Sequence, residues 1–170
     1  MKLNFYALRA MYLHEMDRFR RTLTQSLLSP VLSTSLYFIV FGSVIGDYVQ
    51  NIDGISYGSY IVPGLLMLTL LTQSISNTSF GIFFPKFNGT IYEILAAPIS
   101  TFEVVLAFVG AGATKTLIVG VVIFITSLFF VEVTVKYPLL MIFLLVLVAF
   151  TFALFGFLIG LMSSNFEQMS

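Results

Sequence analysis

The sequence has no cysteine, a single histidine (His14) and few charges, 9% of its 170 residues. Without cysteine there is no disulfide, no thiolate metal site and no thiol nucleophile, and one histidine cannot make a metal site alone. The scarcity of charge excludes more. With 58% of residues hydrophobic and a mean hydropathy of +1.01, a soluble domain of this size could not cover its surface, so lipid has to be part of the solvent. The apolar runs also lack paired acids, a histidine–glutamate cluster and a serine near a histidine. Intramembrane catalysis needs such groups gathered at one depth, so an enzyme is not expected. Net charge is zero, so the sum itself says nothing about a nucleic-acid or acidic partner; no nucleic-acid partner is expected.

What charge there is falls very unevenly. Residues 22–46, 54–85, 116–131 and 137–166 carry none, and about 20 apolar residues cross the ~30 Å hydrocarbon core as a helix. The run from Thr116 becomes a full span only if its helix starts near Thr101 and carries Lys115 within it. The expected fold is therefore all-α and polytopic, a single transmembrane domain over 1–170 with spans at 30–48, 63–84, 101–131 and 138–163. Ser29-Pro30 reads as an N-cap followed by proline at the first helical position, Pro63 and Pro138 can open helices in the same way, and Pro85 should close the second span.

Lys2, Arg9, Arg18, Arg20 and Arg21 crowd the first 21 residues, whereas 47–58 holds aspartates and no basic residue. The positive-inside rule then puts the N-terminus and residues 86–100 in the cytoplasm. Tyr48, Tyr57, Tyr60 and Tyr137 cluster where the spans should meet the outer headgroups. Phe5, Leu8, Tyr12, Met16, Phe19, Leu23 and Leu27 recur every three or four positions. Residues 1–28 are thus expected to hold an amphipathic interfacial helix along the inner leaflet, either a plain anchor or a part that also touches a cytoplasmic partner.

Between the second and third spans lies "KFNGTIYEILAAPIS", residues 86–100. Thr90 with Glu93 has capping-box spacing, as does Ser100 with Glu103, so a short helix should run over 91–97, end at Pro98, and be followed by the start of the third span. A plain connection needs only a few polar residues. Apolar residues on a capped cytoplasmic helix point to something docking there, or to a helix lying flat on the headgroups.

Lys115 stands out, because a lysine near a helix centre costs about 2.5–3.5 kcal/mol on insertion scales. It must line a substrate path, snorkel, or form an ion pair that orients the helix. Thr69, Thr72, Gln73, Ser76 and Ser79 share a helical face, which either lines a polar route or serves interhelical hydrogen bonds. "GAGATKT" has threonine at 114 where a phosphate loop requires glycine, and no βαβ context, so no ATPase is read in this chain. Gly42/Gly46 and Gly156/Gly160 have the spacing that allows close helix crossing, within the chain or between chains.

The stretch "VPGLLMLTLLTQSISNTSFGIFFPKFNGTIYEILAAPISTFEVVLAFVGAGATK" resembles the permease subunits of type-2 ABC exporters, close to the YadH-like branch, and the likeness extends over essentially the whole chain. It is most specific at Glu93, Leu95, Pro98, Ser100 and Glu103. The resemblance implies an amphipathic N-terminal helix, six spans, and a coupling helix that fits a cleft on a cytoplasmic ATPase. That role falls here on Ile91, Tyr92, Glu93, Ile94 and Leu95. It implies an exporter in the bacterial inner membrane, working as a permease homodimer in membrane lipid, with ATP and magnesium bound by the partner ATPase and no cofactor in this chain. Lys115, Gln73 and Ser76 are the candidate substrate-path residues. The chain stops at Ser170, within what resembles the family's second cytoplasmic turn, so a truncated or shortened permease is expected. The alternative is a non-transporting membrane scaffold or assembly subunit. Cargo cannot be read from the architecture.

Overall fold

The computed structural model describes residues 4–45, 51–52, 55–131, 133 and 135–168. Helix α1 (Phe5–Arg21) ends at Thr22, whose hydroxyl donates to the carbonyls of Arg18 and Phe19. The Thr22 carbonyl accepts the Ser26 N–H at 2.9 Å, so a second helix starts at once. This is α2 (Leu23–Tyr37), continued by π-helical winding over Phe38–Ile45. The amphipathic helix therefore stops at Arg21 rather than 28. The first span begins at Leu23 rather than 30, with Pro30 inside the helix; its expected end at 48 lies outside the described residues, as does Gly46.

Helix α3 (Tyr57–Phe87) follows a two-residue antiparallel ladder in which β1 (Asn51–Ile52) pairs with β2 (Ile55–Ser56), the one departure from helix pairing among the described residues. The Ser56 hydroxyl caps α3 by accepting the Ser59 N–H. That cap replaces the expected start at Pro63. Pro63 and Pro85 both sit inside the helix, where each costs one backbone hydrogen bond that a membrane bundle can re-satisfy locally. Gly89, with φ +78°, makes the left-handed turn that ends α3, and α4 (Ile91–Ala96) follows directly. Thr90 is in helical geometry and its side chain makes no cap bond, so the expected Thr90–Glu93 capping box is not formed. A glycine-driven turn had already set the start of α4.

The Ser100–Glu103 box is present in full and opens α5 (Thr101–Phe130). Helix α6 (Pro138–Met162) has proline in its first turn. Four helical segments are long and apolar enough to cross a membrane.

The packing is that of a bundle in lipid. Large side chains of α6, including Leu139, Phe143, Leu147, Phe150 and Leu158, point outward, while Ala149, Ala153, Gly156 and Gly160 are buried. Without a hydrophobic drive between helices, small residues permit the close approach that dispersion needs. A Cβ on Gly156 would lie 2.5 Å from the Ile75 carbonyl oxygen, and one on Gly160 2.6 Å from that of Ser79. The Gly156/Gly160 pair thus serves α6–α3 packing within the chain. Ile82, Phe108, Val109, Ala113, Ala153 and Phe157 belong to the core where α3, α5 and α6 meet, and the Ser74 hydroxyl donates across it to the Ala149 carbonyl at 3.0 Å.

Candidate functional site

Helix α4 divides the five expected coupling residues into two sets. Ile91 and Ile94 are half-buried and pack against the core cluster. Tyr92 is 73% exposed and Leu95 66%, with Glu93 exposed beside them. The inward pair fixes the helix to the bundle; the outward three form its free face. Both flanks are pinned. Ser100 and Glu103 exchange side-chain and backbone bonds at 3.3 and 2.8 Å, and the Asn4 N–H donates to the other Glu103 oxygen. On the opposite flank, Lys86 Nζ donates to the carbonyls of Leu161 and Ser163 at 2.7 and 2.8 Å. A cation there satisfies acceptors that a helix end leaves without partners. It ties the last turn of α3 to the end of α6.

The other expected residues lie along α3 and α5. Helix α2 makes its main tertiary contacts with α5 rather than α3, which leaves a cleft between α2 and α3. One part of it, roughly 260 Å³, is bounded by Ser33, Thr34, Thr69, Thr72 and Gln73. A second part, roughly 170 Å³, is bounded by Arg18, Thr22, Ser26, Ser76, Asn77 and Lys115. Gln73 and the expected Ser76–Lys115 set therefore sit in neighbouring hollows, joined by the hydrogen bond from Asn77 Nδ2 to Gln73 Oε1 at 3.4 Å. Thr69 and Thr72 hydroxyls return to carbonyls of their own helix. Ser79 faces away from the cleft, buried, with its hydroxyl bonded to the Ser76 carbonyl.

Lys115 has a partner that sequence reasoning did not single out. Its Nζ lies 2.7 Å from Glu15 Oε2 on α1, with the two side chains only 5% and 4% exposed. The second Glu15 oxygen accepts from Arg18 at 3.2 Å, and the Arg18 guanidinium sits over the Phe84 ring, 5.9 Å from its centroid. The ion-pair reading of Lys115 is thus realised, and Lys115 also lines the cleft. Together with Tyr12 Oη donating to Thr114 Oγ1 at 3.0 Å and the Asn4–Glu103 bond, the pair lays α1 alongside the first half of α5. Glu15, Arg18 and Lys86 were the residues missed. Only their placement after folding distinguishes them from the other charges of the same segments.

The sequence profile of the ABC-2 type transporter family matches residues 6–170. The chain is 37% identical over all its 170 residues to the inner membrane transport permease YadH of Escherichia coli (strain K12), and equally to those of Escherichia coli O157:H7 and Shigella flexneri. It covers 100% of itself and 66% of each relative, so it spans somewhat under two thirds of their length. No solved structure gives a significant match. With its four membrane-competent helices, an amphipathic first helix and a short pinned helix between the second and third spans, this chain belongs to the ABC-2 type transporter family.

Proposed function

We propose that the chain is the membrane-spanning permease component of an ABC-type exporter in the inner membrane, driven by ATP hydrolysis in a separate cytoplasmic subunit. One observation carries the reading. The α4 helix presents Tyr92, Glu93 and Leu95 outward while Ile91 and Ile94 hold it to the bundle, the arrangement a lever needs if a push from outside is to reach the spans. ATP and its magnesium belong to the partner. Two copies of the permease together form the conduit. The N-terminus and α4 face the cytoplasm, consistent with the basic residues of α1. Gln73, Ser76 and Lys115 line the substrate path, since their hollows bring polar side chains into an otherwise apolar bundle, the one beside Lys115 mainly polar and the one beside Gln73 mainly apolar.

Co-expression with a P-loop ATPase encoded beside the permease gene tests the docking. Glu93→Ala combined with Leu95→Arg should cut recovery of the complex at least about tenfold, because a charge on a buried anchor costs well over 1.4 kcal/mol. Unchanged recovery would favour the scaffold reading instead.

A further inference from the structure

The hollow beside Lys115 has an unbalanced charge. Lys115 and Arg18 both bind the one carboxylate of Glu15, each on a different oxygen. No other acid among the described residues lies within ion-pair distance of either cation, and Asp17 is engaged with Arg20 at 3.9 Å on the exposed side of α1. Two positive charges therefore share one negative charge, with Lys115 and Glu15 almost wholly removed from solvent. The excess charge falls on Arg18, whose side chain is 35% exposed, so water meets part of it and an anion entering the hollow gains a cationic partner there. The hollow supplies the rest of an anion site. Arg18 retains guanidinium donors that Glu15 does not use, and Ser26, Ser76 and the second amide N–H of Asn77 add donors around the same space, whereas the Thr22 hydroxyl is committed to the Arg18 and Phe19 carbonyls.

Size and depth narrow the occupant. At roughly 170 Å³ the hollow is smaller than the ~300–1,000 Å³ of ordinary small-molecule pockets, but it admits a phosphate group. Phe19 and Phe80 complete the wall, and Phe80 and Phe84 are exposed on α3, so apolar surface continues outward from the polar floor. Helices α3 and α5, with 31 and 30 residues, are about 46 and 45 Å long and exceed the ~30 Å core by about 15 Å. Ser76 and Lys115 lie 11 and 14 residues from the ends that flank α4, about 17–21 Å along the axes. This is also the level of Thr22, where the amphipathic helix gives way to the first span. The change of character at Thr22 puts the ~15 Å of excess helix at the α4 end, so the hollow lies about 2–6 Å inside the hydrocarbon boundary, where a headgroup phosphate can reach it.

We infer that the Arg18–Lys115 hollow is a binding site for a singly charged phosphate-bearing group, supplied by an anionic lipid of the inner leaflet. The site deepens the transport reading, and rests on it only for the idea that the bound amphiphile moves onward along the cleft; the binding itself does not depend on any ATPase.

The chain purified in neutral detergent is titrated with short-chain phosphatidylglycerol, short-chain phosphatidylcholine and inorganic phosphate, following both binding and the thermal midpoint. Phosphatidylglycerol should bind saturably and raise the midpoint, and the zwitterionic lipid should not. Arg18→Gln should weaken that binding at least about tenfold, the scale of one charge-assisted hydrogen bond. Arg21→Gln, at the exposed end of α1, should leave it unchanged. Glu15→Gln removes the shared carboxylate, so it should bind the anion more tightly and be stabilised by it more than the parent is. A purely structural role for these charges predicts no such anion rescue. Equal binding of both lipids, or no effect of Arg18→Gln, overturns the proposal. If Arg18→Gln does not fold, the Glu15→Gln arm decides: no gain in anion affinity overturns it. Binding of inorganic phosphate as tight as that of the lipid, with the same dependence on Arg18, keeps the anion site but overturns its assignment to the leaflet. Loss of ATPase docking, by contrast, would leave all these readouts untouched.

Discussion

Glu15 and Lys115 lie 100 positions apart in the chain, and their ion pair is buried. Removing one partner of such a pair typically costs 3–5 kcal/mol, whereas replacing both with apolar residues of similar size is often close to neutral. Lys115→Met should therefore lower the thermal midpoint in detergent sharply, and Glu15→Leu/Lys115→Met should recover most of the loss. A double variant no better than the single one would mean that the pair is not coupled. A second contrast concerns buried hydroxyls. Thr78 Oγ1 is buried with no hydrogen-bond partner among the described residues, whereas Ser74 donates to Ala149. Thr78→Val should stay within about 0.5 kcal/mol of the parent, and Ser74→Ala should cost about 1 kcal/mol; the two midpoints, compared directly, check this. Lys115 was conspicuous in the sequence because a charge inside an apolar run violates the solvent's preference. Glu15 was not, since it sits among other charges on an amphipathic helix and only the docking of α1 on α5 buries it.

At the level of single elements, helix starts were readable at Ser100, where the cap forms, and at Pro138, where proline stands in the first turn, and misread at Pro30, Pro63 and Thr90. Ser100 and Glu103 form the expected box. Pro30 and Pro63 instead sit inside helices begun by Thr22 and by the Ser56 cap, because the membrane's demand that backbone groups pair internally outweighs one lost bond. Ser100→Ala should accordingly destabilise by about 1 kcal/mol while Thr90→Ala leaves the midpoint unchanged, as its side chain caps nothing. The α3–α6 contact gives a harsher test. Gly160→Leu would drive a side chain into the backbone of Ser79 and should cost about 2 kcal/mol or more, read as a lower midpoint. The spacing of Gly156 and Gly160 announced a close crossing, but not which helix would be crossed, since a periodicity names a face and never its partner.

For the whole molecule, the bundle turns many large apolar side chains outward, Leu139, Phe143 and Leu158 of α6 among them, while small residues let α6 close on α3, an exposure that composition and hydropathy already demanded. Which way it faces is a question the absence of cysteine makes simple to ask. Tyr60 and Tyr92, both exposed, lie near opposite ends of the α3–α4 unit. A lone cysteine at 92 should react with an impermeant maleimide only after the cytoplasm is opened, and one at 60 should react from outside in intact cells. The reverse pattern would place the free face of α4 beyond the reach of any ATPase and end the transport reading. The cleft itself could be anticipated only in part: one wall, the hydroxyl face of α3, shows in the sequence, but the opposite wall depends on α2 leaning on α5.

The Lys86 ammonium, gripping two carbonyls at the far end of α6, makes a buckle between segments separated by 75 residues. A thrust on the short helix next to it has no slack joint in which to dissipate. Under the proposed function, the fourth span would be carried along with the second when that short helix is displaced.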